Sequence, residues 1–194
     1  MSVVAHYAGP EQIQKPVDKK SIPLSTSDDL TTELIDNGEQ ENAEETVGMG
    51  SYNHAMTQTN LGFLLKRLGG YSVFTELSLD TSGVALDNVP KRDETRPDVC
   101  LYPKRSLSRP FDILKMSEMP LLTVEILSPR QGIQEILEKF AVYFACGVQS
   151  CWLVDPITAI VAVYSSLDER TVFSTGEVVD KKLGIHLPFS EIFE

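Results

Sequence analysis

Residues 121–127 read LLTVEIL, an aliphatic and β-branched run interrupted by one acid, Glu125. The run reads as a central, buried strand that Ser128-Pro129 ends. A lone carboxylate gains nothing there: desolvating an unpaired charge costs several kcal/mol or keeps the group protonated. The same problem recurs at RPDVCLY, residues 96–102, where Asp98 begins a second apolar run. Any fold for this chain must supply what offsets these two acids.

Around them the chain reads as one domain with an N-terminal tail. The domain spans residues 48–194, and residues 1–47 form an extended arm with an acidic segment. A helix is expected after GMGSYNHA, with Ser51 or Asn53 as its cap, a stripe of Leu61, Leu64, Leu65 and Leu68, and a stop at Gly69-Gly70. YSVFTELSL (71–79) reads as a first strand, DVCLY as a second after the loop 80–97, and LLTVEIL as a third. A second helix runs from about 131 to 146 and stops at Gly147. CWLVD and AIVAVYSS then form a hairpin across PIT; RTVFST and a segment near 184–187 finish the sheet, and FSEIF closes the chain with a helical turn.

Charge has to be read locally. The chain of 194 residues carries −11 overall, which at first argues against a nucleic-acid partner. Yet residues 28–46 hold eight acids and no base; setting them aside leaves −3 for the rest. Over residues 91–109 the balance is +3, with Lys91, Arg92, Arg96, Lys104, Arg105 and Arg109 against Asp93, Glu94 and Asp98. Arg92, Arg96, Lys104 and Arg105 flank the strand that Asp98 begins and are the candidate contacts to DNA phosphates. The acidic run is a solvated linker or, in the rival reading, a mimic of nucleic acid lying over the basic loop.

Cys100, Cys146 and Cys151 form no CxxC pair and have no histidine neighbours, so they read as reduced, buried thiols. No apolar run approaches the roughly 20 residues of a membrane helix, and the N-terminus lacks a secretory signal. The expectation is a cytoplasmic protein with no membrane partner.

Three acids draw the chemistry together. Glu76 lies in the first strand, Asp98 begins the second and Glu125 lies near the end of the third. Consecutive strands are usually neighbours, so the three converge at one end of a sheet. Carboxylates gather in this way around a hard cation, and Mg²⁺ prefers octahedral oxygen ligands and keeps several waters. The cation's charge offsets the desolvation of the acids. Held there, it activates water and stabilises the crowded phosphorus centre of phosphoryl transfer. The usual complement is a lysine. Residue 127, on the same face as Glu125, is Leu127, whereas Lys139 sits within the second helix between Glu135 and Tyr143.

These residues resemble a known family. RPDVCLY, LLTVEILSP and EILEKFAVYFACGVQSCWLVDP follow, in order and spacing, the motifs of the Uma-type restriction endonuclease family of the PD-(D/E)XK nuclease superfamily. HAMTQTNLGFLLKRLG resembles that family's first helix, and LPFSEIF its usual ending. The resemblance covers about residues 48–194, and the first 30 residues have no evident counterpart. It implies an α+β restriction endonuclease-like domain: an αβββαβ core, a central mixed sheet flanked by helices, and a C-terminal β-hairpin extension. It also implies Mg²⁺ or Mn²⁺ as cofactor and hydrolysis of DNA phosphodiester bonds. By position Asp98 and Glu125 become metal ligands, Glu76 a further acid at the metal, and Lys139 the migrated catalytic lysine. Glu135 stands where the family usually has Asp. A homodimer is expected, so that two sites address two strands.

Each residue also has a plainer reading. Asp98 is a strand-start aspartate after proline, Glu76 a solvated strand residue, and Lys139 a partner of Glu135 at one-turn spacing. His54 and Tyr143 are possible accessory groups at the site, or a helix-start histidine and a packing aromatic. The alternative function is a catalytically silent nuclease-fold protein that binds nucleic acid or a protein partner; it predicts Lys139 turned to solvent.

Overall fold

The computed structural model describes residues 51–194. The N-terminal arm and its acidic segment lie outside the described residues.

Helix α1 spans Tyr52–Arg67. Ser51, rather than Asn53, is its cap and accepts the His54 N–H at 3.4 Å, satisfying one of the amides a helix start leaves open. Gly69, at φ 79°, takes the left-handed turn that ends it. Leu61, Leu64 and Leu65 are buried as the spacing predicts, but Leu68 lies beyond the last turn and is partly exposed.

The strands that follow are β1 (Tyr71–Thr75), β2 (Leu79–Asp80), β3 (Glu94–Thr95), β4 (Val99–Pro103) and β5 (Leu122–Ile126). The continuous strand expected over 71–79 is broken. Glu76 adopts φ 52°, which ends pairing with β4, and the chain crosses to pair β2 with β3, a strand not foreseen in the loop 80–97.

Helix α2 (Ile133–Ala145) follows, and its end is a Schellman turn. Val148 N–H donates to Tyr143 O and Gly147 N–H to Phe144 O, with Gly147 at φ 94°. Strands β6 (Ser150–Asp155), β7 (Ile160–Tyr164), β8 (Arg170–Phe173), β9 (Glu177–Asp180) and β10 (Ile185–Pro188) precede the short α3 (Ser190–Phe193).

Six strands form the central sheet in the order β1-β4-β5-β6-β7-β8. Only β5 and β6 are parallel, because α2 carries the chain across between them. The order α1, β1, β4, β5, α2, β6 is the αβββαβ core. β9 and β10 do not finish this sheet: they pair only with each other, as a separate hairpin against it. Buried Asp180 accepts the Trp152 indole N–H at 3.0 Å and, through its other oxygen, the N–H groups of Lys182 and Leu183, which ties that hairpin to β6.

Alternation along the strands divides the core. Val99, Leu101, Leu122, Val124, Ile126, Trp152 and Val154 pack with Leu61, Leu64 and Leu65 of α1. Cys151 and Leu153 face the other way, against Ile136, Phe140 and Tyr143 of α2. Phe140 meets Tyr164 edge-on at 5.2 Å. All three thiols are free; Cys100 and Cys151 are buried, while Cys146, at the end of α2, is only half-buried. Among the described residues no helix is long and apolar enough to cross a membrane.

Candidate active site

Sheet register brings the acids together. Thr75↔Val99 is the last pair of β1 with β4, and Val99↔Val124 the last of β4 with β5. One step further, Glu76 stands opposite Asp98 and Asp98 opposite Glu125. The three carboxyl-bearing residues thus form a row across neighbouring strands at one end of the sheet. Glu76 is the exposed member and, with its left-handed backbone, lies just past its strand rather than inside it. A bulky residue held there costs on the order of 1–3 kcal/mol, and such strain persists where surrounding contacts fix it.

Glu125 is fully buried on the α2 face. Its Oε2 accepts from Lys139 Nζ at 2.8 Å and its Oε1 from Tyr143 OH at 2.7 Å. Lys139 and Tyr143 sit one helical turn apart, so α2 presents both to the same carboxylate. Lys139 therefore points inward to Glu125, and Glu135 is not its ion-pair partner. Burial pushes the Glu125 pKa up to about 7, opposed by the Lys139 charge and raised further by Asp98. Burial alone would lower the Lys139 pKa, but the Glu125 carboxylate outweighs it and holds the ammonium above its ordinary value. Burial, with Glu125 beside it, lifts Tyr143 well above the usual phenol range.

Asp98 is the hub of the second group. Its Oδ2 accepts the Ile126 N–H, which ties it to β5, and its Oδ1 lies 3.2 Å from His54 Nε2. His54 Nδ1 is 3.2 Å from Ser128 Oγ, so the ring is fixed at both nitrogens. The hydrogen bond to Asp98, which outweighs the cost of burial, raises the His54 pKa. Gln58, one turn beyond His54 on α1, donates to Glu76 Oε1 at 3.0 Å and to Asp98 O at 2.8 Å.

This arrangement fits a divalent cation. His54, Glu76 and Asp98 each offer one ligand atom, all within 4.8 Å of one another. Beside them Glu125 is a carboxylate whose ionisation burial opposes and a cation would favour. The group that could hold an ion thus includes His54 beside Glu76 and Asp98 and leaves out Glu125, both of whose oxygens are engaged by α2. Ser128 and Gln58 were not singled out from the sequence. Gln58 had a readable signal in its one-turn spacing from His54; Ser128 had none beyond its place after β5.

The basic residues separate. Arg92 lies 3.9 Å from Glu138, next to Lys139 on α2, and Arg96, two residues before Asp98, pairs with Glu94 at 2.6 Å. Lys104 and Arg105 are at the other end of β4, roughly 20 Å away at about 3.3 Å per strand residue. There Arg105 makes two hydrogen bonds to Glu118 and covers the Tyr102 ring at 4.4 Å, while Lys104 Nζ reaches Gly69 O at 3.4 Å. Flanking one strand in sequence placed these pairs a strand length apart.

A mixed sheet with an αβββαβ core, a row of acids at its end and an inward helix lysine define a nuclease-like domain of the restriction-endonuclease type. The chain belongs to the Uma2 family, described as "Putative restriction endonuclease", whose model matches residues 24–190. The match begins before residue 48, so the family likeness takes in part of the stretch read as an arm, including residues 24–30. Among solved structures the chain is similar to "a putative nuclease belonging to DUF820" from Anabaena variabilis ATCC 29413. The two share 22% identity over 75% of this chain and 83% of that one, with a TM-score of 0.59, a likeness of fold. No curated protein matches the chain.

Proposed function

We propose that the protein is an endonuclease that hydrolyses DNA phosphodiester bonds with Mg²⁺ or Mn²⁺. The observation that carries this reading is Lys139 turned into the fold against buried Glu125, beside the group formed by His54, Glu76 and Asp98. Asp98 and Glu76 would hold the cation with His54, and Glu125 would complete its charge. When bound, the cation supplies Lewis acidity to a phosphoryl oxygen and makes its water a better nucleophile.

The chain's own groups do the rest. Lys139 is an ammonium at neutral pH and so serves as a donor rather than a base. It holds a non-bridging phosphate oxygen or the attacking water, an electrostatic role of the kind worth a hundredfold or more in rate. Tyr143 keeps its proton and fixes the second oxygen of Glu125. In the reaction the water oxygen bonds to phosphorus, the bond to the leaving alkoxide breaks, the water gives up a proton and the alkoxide takes one.

Arg92 and Arg96 are the residues proposed to meet phosphates next to the reacting bond; Lys104 and Arg105 would meet the duplex farther along. A cytoplasmic homodimer belongs to the same proposal. Two strands call for two sites, and Leu107, Phe111 and Leu114, each at least 80% exposed, support self-association. The catalytically silent alternative is disfavoured by the inward course of Lys139.

Plasmid nicking with Mg²⁺ and with Mn²⁺, wild type against Glu125→Ala, tests the reading. Metal-dependent nicks are expected from the wild type alone, and nicking by Glu125→Ala at the wild-type rate would remove Glu125 from it.

A further inference from the structure

We infer that Gln58 is the positioning residue of the cation site, holding Glu76 in the backbone conformation that brings its carboxylate to His54 and Asp98. The inference rests on the metal reading above and adds a residue that binds no metal itself.

The geometry is a closed loop. Gln58 Nε2 lies 3.0 Å from Glu76 Oε1 and 2.8 Å from Asp98 O. A carboxylate and a carbonyl only accept, so the amide end of Gln58 must face them, and both of its hydrogens are used there. The same Asp98 carbonyl accepts the Glu76 N–H at 3.4 Å. Glu76 is thus tied at its backbone to Asp98 O and at its side chain, through Gln58, to the same atom.

That tie has something to hold. Glu76 is at φ 52°, a conformation unfavourable for any residue with a side chain and retained where neighbours over-determine it. It is exposed, so no packing fixes its carboxylate. Gln58 can fix it because α1 is itself anchored by Leu61, Leu64 and Leu65, which are buried against the sheet. One face of this helix delivers His54 as a prospective ligand and, one turn on, Gln58 to hold another. Gln58 is half-buried, so replacing it leaves the core intact.

The test is a Mn²⁺ titration by calorimetry on the full chain. It compares wild type, Gln58→Leu, Gln58→Met, Glu76→Gln and the double variant Gln58→Leu/Glu76→Gln, with metal-free melting curves for each. Either Gln58 replacement should weaken Mn²⁺ affinity about tenfold or more, the range for losing a group that orients a ligand. In the Glu76→Gln background the same change should cost less than about twofold, because the residue it positions no longer binds. Equal losses in both backgrounds would make Gln58 a ligand or a general scaffold residue and overturn the inference. Unchanged affinity in the single variants, or loss of cooperative melting in both, would also overturn it. A wild type that binds no Mn²⁺ would instead strike the metal reading beneath it.

Discussion

Lys139 Nζ on α2 donates to Glu125 Oε2 on β5 at 2.8 Å, and Tyr143 closes the other oxygen of the same carboxylate. The helix therefore answers the cost of placing an acid in an apolar strand, at least in part. Burial still holds Glu125 near a pKa of 7, so without a cation it titrates close to neutrality.

That fixes the pH dependence of metal-free stability. The Glu125 pKa is raised from 4.5 to about 7 on folding, so its contribution is complete below 4.5 and is lost as pH rises to 7. The loss is on the order of 3 kcal/mol for one proton over that window. His54, also raised, adds a loss in the same direction as pH climbs through its folded pKa. Melting in the presence of chelator should therefore fall from pH 5 to pH 8. Glu125→Gln should flatten most of that slope; an unchanged slope would place the titrating group elsewhere.

Glu76 should show stability opposed to binding. Glu76→Gly relieves the left-handed strain, so the metal-free melting temperature should hold or rise despite the lost contact to Gln58. Mn²⁺ affinity should drop at least tenfold. A variant that melts much lower and binds Mn²⁺ as before would mean that Glu76 serves the fold and not the ion.

With His54 as a proposed ligand, the donor set is less purely oxygen than the acids alone imply. Nitrogen donors favour Mn²⁺ over Mg²⁺ more than carboxylates do. Wild type should prefer Mn²⁺ in calorimetry, and His54→Ala should narrow that preference by weakening Mn²⁺ more than Mg²⁺. Equal weakening of both ions would confine His54 to orienting Asp98.

The placing of the cationic side chains gives a graded expectation for DNA. Arg92→Ala and Arg96→Ala should weaken duplex binding and slow cleavage, each lowering the slope of log affinity against log salt by up to about 0.9. Lys104→Ala, a strand length away, should lower the slope while leaving the cleavage rate of bound DNA unchanged. A rate loss in Lys104→Ala as large as that of Arg92→Ala would contradict the arrangement.

Much of this was legible in the chain because strand order and apolar spacing are local. LLTVEIL and DVCLY gave neighbouring strands, and antiparallel register then forces Asp98 and Glu125 into one row. The one-turn spacing of Lys139 and Tyr143 fixed a shared helix face, but not which carboxylate it would meet: Glu135 was as near in sequence as Glu125 was in space. The break at Glu76 was hidden, since YSVFTELSL alternates well and nothing in it announces a positive φ. The hairpin β9–β10 pairs outside the main sheet and is tied to it by Asp180 and Trp152, a long-range contact that no local pattern carries. The basic residues of 91–109 do not form one cluster, because that stretch spans β4 from end to end.

The most direct measurement is the metal-dependent nicking of supercoiled plasmid by wild type and Lys139→Met, with Mn²⁺ affinity measured alongside. Wild type should nick with Mn²⁺ or Mg²⁺ and not with chelator. Lys139→Met should nick about a hundredfold more slowly, with the protein still folded and Mn²⁺ still bound. A wild type that leaves the plasmid intact with both ions, or a Lys139→Met variant as fast as wild type, would contradict a metal-dependent nuclease that relies on Lys139.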